Sequence, residues 1–110
     1  MGAVALLVDP SAGTAPATFT AVIVNGGQRR LTYGAPYTIE YWDGATWQQT
    51  DLAPEIFIDI AFILEPGGIG QPETVEIPAE VQSGFYRVAK VASEEGGDTG
   101  LKLYGLFQIL

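Results

Sequence analysis

Apolar and polar residues alternate along most of this chain. Phe19, Ala21 and Ile23 alternate with Thr18, Thr20 and Val22; Tyr37, Ile39 and Tyr41 with Thr38, Glu40 and Trp42; Val75 and Ile77 with Thr74 and Glu76. A period of two marks strands with one buried face. The β-branched and aromatic residues in these runs suit a pleated surface. Turn signals separate the runs: "NGGQ" (25–28), "DG" (43–44), "EPGGIGQP" (65–72) and "EEGGDTG" (94–100). Gly supplies positive φ and Pro presets φ, so such clusters reverse the chain. With 14 glycines and 7 prolines spread throughout, no window remains for a long helix. One helical turn is expected at "PAEVQSG" (78–84). Eight strands are predicted, roughly 3–8, 16–24, 29–33, 36–43, 46–50, 56–64, 72–78 and 85–92, with a ninth near 101–109. Short, regularly spaced strands indicate an all-β sandwich or barrel.

A length of 110 residues sets a single domain, residues 1–110. A domain of this size buries about 65% of its unfolded surface, enough for a core. The chain is 47% hydrophobic and only 16% charged, which argues against disorder. Its 13 acidic and 5 basic residues leave a net charge of −8. Such a chain repels phosphate backbones and anionic lipid surfaces, so neither nucleic acid nor membrane is an expected partner. The longest apolar run, Ile56 to Leu64, contains Asp59 and is too short to cross a bilayer. The opening "MGAVALLVDPSAGTA" has no basic residue before its apolar patch, so it reads as a first strand rather than a signal peptide. An export signal, if the protein has one, is expected outside this chain.

The absence of cysteine and histidine narrows the chemistry. No disulfide can form, and zinc or copper sites built on those residues are excluded. The familiar nucleophile–base pairs are missing, and Ser11, Ser83 and Ser93 have no evident base. Two carboxylates could hydrolyse a glycoside, but any acidic chain supplies such pairs by chance. Asp59 inside "IFIDIAFIL" is either a carboxylate in an apolar site or, more simply, an outward position or turn cap. Glu94, Glu95 and Asp98 offer oxygens for calcium on a Gly-rich loop. They lack the spacing of an EF-hand, and the simpler reading is a solvated acidic loop. No cofactor is expected.

"YWDGATW" (41–47) places Trp42 and Trp47 on either side of an Asp-Gly turn. Tyr41 and Trp42 are candidate ligand contacts, since flat rings stack on sugars or proteins. The structural alternative is that the rings pack on one another or on the core. Alternation places Trp42 on the face opposite Tyr41 and Ile39, so a buried Ile39 puts Trp42 outside. Trp47 is read as core or sheet cover. Arg29, Arg30, Arg87 and Lys90 are too few for a basic patch and are expected on solvated faces or in local ion pairs. The apolar outer candidates "AVALLV" and "LKLYGLF" could accept a strand from a neighbour.

The segment "SGFYRVAK" (83–90) is the most informative. It resembles the turn-into-strand of immunoglobulin-like sandwiches. The resemblance implies that Gly84 makes the turn and that Tyr86 returns its hydroxyl to upstream backbone as a tyrosine corner. It also implies that Val88 stands where antibody domains carry their second cysteine, packing toward Val22, Ile23 or Val24. Further motifs follow in order: Asn25 ending the second strand, "LTYGAPYTIEYWDGATW" (31–47), "FILEPGG" (62–68) and "GLFQI" (105–109). Together they resemble the bacterial immunoglobulin-like domains of secreted and surface proteins, over roughly residues 16–109. The fold so implied is an immunoglobulin-like two-sheet antiparallel β-sandwich of about 7–9 strands, with no disulfide. The function implied is non-enzymatic: a spacer or adhesion module, extracellular or in the cell envelope, meeting neighbouring domains or identical subunits through its edges. The alternative is a carbohydrate- or protein-binding module using Tyr41, Trp42 and the 93–100 loop.

Overall fold

The computed structural model describes residues 3–97 and 100–110. Ten strands follow one another: β1 (Val4–Asp9), β2 (Ala12–Gly13), β3 (Ala17–Asn25), β4 (Leu31–Gly34), β5 (Thr38–Trp42), β6 (Trp47–Gln49), β7 (Ala61–Leu64), β8 (Glu73–Ile77), β9 (Gly84–Glu94) and β10 (Gly100–Ile109). They form a β-sandwich. The smaller sheet has the order β1-β3-β8. The larger has β2-β10-β9-β4-β7, with β5 also pairing β9 and carrying β6. All pairings are antiparallel except β2 with β10.

The core follows from the alternation. Phe19, Ala21 and Ile23 of β3 and Val75 and Ile77 of β8 are buried, and face Ile39, Tyr86, Val88, Phe107 and Ile109 of the larger sheet. A chain of rings crosses the interior. Phe19 meets Phe107 at 4.6 Å between centroids, Phe107 meets Tyr86 at 5.6 Å, and Tyr86 meets Tyr41 at 5.0 Å. Val88 and Ile23 belong to the same buried cluster, so aliphatic packing fills the place of a disulfide. Gly105 faces inward where β1 crosses β10. A Cβ there would lie 2.7 Å from Val8 Cγ2 and 3.0 Å from the Leu6 carbonyl, so only glycine permits this approach.

β4 and β5 run along a single partner, β9, but out of step. Tyr33 pairs with Ala92 and Thr38 with Ala89, so residues 34–37 oppose only 90–91. The extra residues form a bulge, occupied by Ala35 and Pro36. Pro36 has no N–H for a ladder, which suits an interruption there.

The tyrosine corner is present: the Tyr86 hydroxyl donates to the Gln82 carbonyl at 2.6 Å. Gly84 makes the turn with φ of +143°, and a Cβ there would sit 3.0 Å from the Tyr41 ring. Asn25 is fully buried and fully bonded. Its amide nitrogen donates to the carbonyls of Arg29 and Leu64, and its side-chain oxygen accepts the Gly27 N–H. It thereby ties the end of β3 to the end of β7.

Several expectations are corrected. The segment 78–84 makes turns rather than a helical turn, because Ser83 and Gly84 lead at once into β9. The strand expected over 56–64 is confined to Ala61–Leu64. Residues 56–60 have no ladder partner; Ile56, Ile58 and Ile60 are exposed, while Phe57 packs on Tyr37 at 5.2 Å. Asp59 is exposed there, so no apolar pocket surrounds its carboxylate. β2 was not anticipated, since two residues carry no period. Of the two outer-strand candidates, β1 is an edge, but β10 is met at its C-terminal end by β2 through Gln108–Ala12 and Ile109–Gly13.

Candidate functional site

The outer face of the larger sheet gathers residues from four strands. Register sets the rows: Tyr104 beside Ala89 beside Thr38, then Leu106 beside Arg87 beside Glu40. Beyond these, Gln108 pairs with Phe85 and Trp42 with Trp47. Phe85, Val91, Tyr104 and Leu106 are exposed at 55%, 59%, 41% and 63%, so this face presents several large apolar side chains to solvent.

Arg87 organises this face. Its Nε donates to Glu40 Oε1 at 2.5 Å, with both side chains about one-fifth exposed. Its guanidinium lies 3.8 Å from the Tyr104 ring centroid and 4.4 Å from that of Trp47. Trp47 in turn packs on Trp42 at 5.3 Å. Tyr104, Arg87, Trp47 and Trp42 therefore make a continuous stack, with cation–π attraction at its centre. The hairpin beneath is closed by Asp43. Its Oδ1 accepts the N–H groups of Ala45 and Thr46, each at 2.8 Å, and Gly44 supplies φ of +100°. Those backbone bonds, with the side chains of Gln48 and Thr46, hold the Asp43 carboxyl below its ordinary pKa.

Beside the stack lies a groove of about 490 Å³. Ala89, Val91, Tyr104 and Pro36 of the bulge line it with small or apolar groups. Lys102, Glu40 and Thr38 supply its polar rim. Lys90 lies beneath, with its side chain 1% exposed. Its ammonium donates to the carbonyls of Gly34 (3.0 Å) and Ala35 (3.1 Å) and pairs with the Glu73 carboxylate on β8. The bulge frees those carbonyls from the ladder, and Lys90 satisfies them. Tyr33 and Tyr37 flank the ammonium. Burial, reinforced by the Glu73 charge, raises both phenol pKa values above 10.0, although the Gln71 backbone bond partly offsets this for Tyr33.

The sequence-predicted residues fall into three places. Trp42 and Trp47 share the outer face as cross-strand neighbours, Trp47 as sheet cover. Tyr41 is turned inward onto Tyr86 and packs against the core, so its ring does not join Trp42 as a contact. Gly84, Tyr86 and Val88 hold the fold. Of the calcium candidates Glu94, Glu95 and Asp98, Glu95 lies 3.8 Å from Arg30, which also pairs with Glu65, and Asp98 lies outside the described residues. Among the described residues no acidic cluster could hold a metal ion. Lys90 was expected in a solvated or locally paired role; it is paired, but buried. The parity of Tyr86, Val88 and Ala92 puts position 90 on the inward face, and that signal was available in the sequence. Tyr104 and Lys102 were missed because no motif surrounds them.

Comparison with known proteins agrees with this architecture. The family model described as bacterial Ig-like domain matches residues 3–100. No curated protein sequence matches the chain. Among solved structures, a family 123 glycoside hydrolase from Clostridium perfringens, studied for glycolipid glycan hydrolysis, aligns with a TM-score of 0.50 at 7% identity. That alignment covers 99% of this chain but 27% of the hydrolase, so the likeness concerns fold alone. The seventh PapD-like (ASH) domain of human CEP192 aligns at TM-score 0.45 and 15% identity, over 96% of this chain and 84% of that one. With a family model that spans residues 3–100, every strand before β10, this chain belongs to the bacterial Ig-like domain family.

Proposed function

We propose that this domain is a non-catalytic spacer or adhesion module of a bacterial secreted or cell-surface protein, and that it meets a neighbouring domain or an identical subunit through the outer face of its larger sheet. The observation that carries this reading is the diagonal placement of Phe85 and Leu106, exposed at 55% and 63% on paired strands, with Gln108 and Arg87 directly opposite them. Large apolar residues exposed on one face are characteristic of contact surfaces. The buried polar side chains Asn25 and Lys90 are engaged in holding the sandwich, which leaves recognition to the surface.

Sedimentation velocity over a concentration series tests it, using the isolated domain and the domain joined to its native neighbours. Concentration-dependent association, or a compact two-domain particle, is expected for wild type and should be lost in Phe85→Ser/Leu106→Ser. A wild-type domain that stays monomeric and leaves its neighbours freely hinged would exclude this face as the contact.

A further inference from the structure

We propose that the groove between Tyr104 and the Pro36 bulge binds a sugar bearing a carboxylate, such as a uronic acid unit of an acidic polysaccharide. This rests on reading the outer sheet face as a contact surface, but uses a part of it separate from Phe85 and Leu106.

The volume, about 490 Å³, falls within the roughly 300–1,000 Å³ of small-ligand sites. Its lining joins Pro36, where the ladder is interrupted, to the small side chain of Ala89 opposite Thr38. Tyr104 offers the groove an aromatic ring against which a flat ligand ring can pack. Arg87 stacks on Tyr104 at 3.8 Å and holds it in place. A pyranose suits such a slot, because its C–H face is apolar and its edge carries hydroxyls. Thr38 and Glu40 also line the groove and bring a hydroxyl and a carboxylate to it.

Charge selects the acidic member of this class. Glu40 is already neutralised by Arg87, and the buried Lys90 is matched by Glu73. Among the described residues Lys102 forms no ion pair within 4 Å, so in a chain of net −8 it brings to the groove a positive charge not matched by a contacting carboxylate there. Fields are screened beyond about 8 Å at physiological salt, so a ligand in the groove meets chiefly the charges that line it, Lys102 and the Arg87-paired Glu40. A ligand carboxylate would complete the charge balance.

The test is a nuclear magnetic resonance titration of the labelled domain with oligogalacturonate, the matched neutral oligogalactoside, and polyglutamate, at physiological salt. Expected are shifts confined to residues 36–40, 89–91 and 102–104 with the acidic sugar. Tyr104→Ala should weaken binding about tenfold or more, as loss of an aromatic anchor does. Lys102→Gln should reduce binding of the acidic sugar to the level of the neutral one. Absence of shifts at millimolar sugar, or binding unchanged in both variants, would overturn the proposal. Equal binding of polyglutamate would overturn the sugar assignment in favour of a general anion patch. The sedimentation result with Phe85→Ser/Leu106→Ser stands or falls independently of these outcomes.

Discussion

Lys90 reaches from one sheet of the sandwich to Glu73 on the other, and on the way satisfies the two carbonyls that the bulge exposes. The pair lies two residues beyond Val88 on the same inward face, in a fold with no covalent link between its layers. A polar clamp thus stands beside the aliphatic contact between sheets. Removing one partner of a buried pair costs about 3–5 kcal/mol, because the other charge is stranded.

Lys90→Met should accordingly destabilise the domain by about 3 kcal/mol, at the low end because Glu73 retains some solvent access. Chemical denaturation checks this. Lys90→Met combined with Glu73→Gln should recover part of the loss. If the double variant is no better than the single one, the cross-sheet pair is not the source of the effect.

The tyrosine corner is one buried hydrogen bond, from Tyr86 to Gln82. Tyr86→Phe keeps the ring stack with Phe107 and Tyr41 and removes only the hydroxyl, so a loss of about 1 kcal/mol is expected. A neutral result in equilibrium unfolding would mean that the bond contributes nothing.

Alkaline pH should weaken the fold. Burial raises the phenol pKa values of Tyr33, Tyr37 and Tyr86 above 10.0, with Glu73 adding to the first two and Tyr41 to the third. The neutral phenol is the form favoured in the folded state. Its contribution is complete below the unfolded value near 10 and is lost as pH rises through the folded values. Thermal unfolding followed between pH 8 and pH 11 should show the midpoint falling only above about pH 10, with less of a fall in Tyr86→Phe.

Gly105→Ala should force β1 away from β10, since its new methyl would meet Val8 and the Leu6 carbonyl. Overpacking of this kind costs about 1–3 kcal/mol. Gly44→Ala, with nothing near its Cβ but φ of +100°, separates backbone strain from crowding and should cost less, about 1 kcal/mol. Denaturation midpoints of the two variants give the comparison.

Much of the fold was legible because its strands are long enough to show a period. Phe19 to Ile23 and Val75 to Ile77 declare their buried face by alternation, and Gly84 with Tyr86 announces the corner through one short motif. What failed has a physical pattern. The isoleucines at 56, 58 and 60 alternate like a strand, yet no neighbouring strand supplies hydrogen bonds there, and sequence periodicity cannot report a missing partner. β2 is too short for any period. The candidate site was legible only at the Trp42–Trp47 hairpin. The groove depends on a slip in register between β4 and β5, and Lys102 and Tyr104 meet it only because β10 pairs with β9. Pairings of that kind join distant segments, and a local reading of the chain does not contain them.

The parallel pairing of β2 with β10 has a mechanical consequence. Drawing the ends of the domain apart pulls these two strands past each other along their length. The bonds from the Gln108 N–H to the Ser11 carbonyl and from the Leu110 N–H to the Gly13 carbonyl, both 2.9 Å, lie across that motion. They are loaded together rather than one after the other, so this short ladder is sheared rather than unzipped.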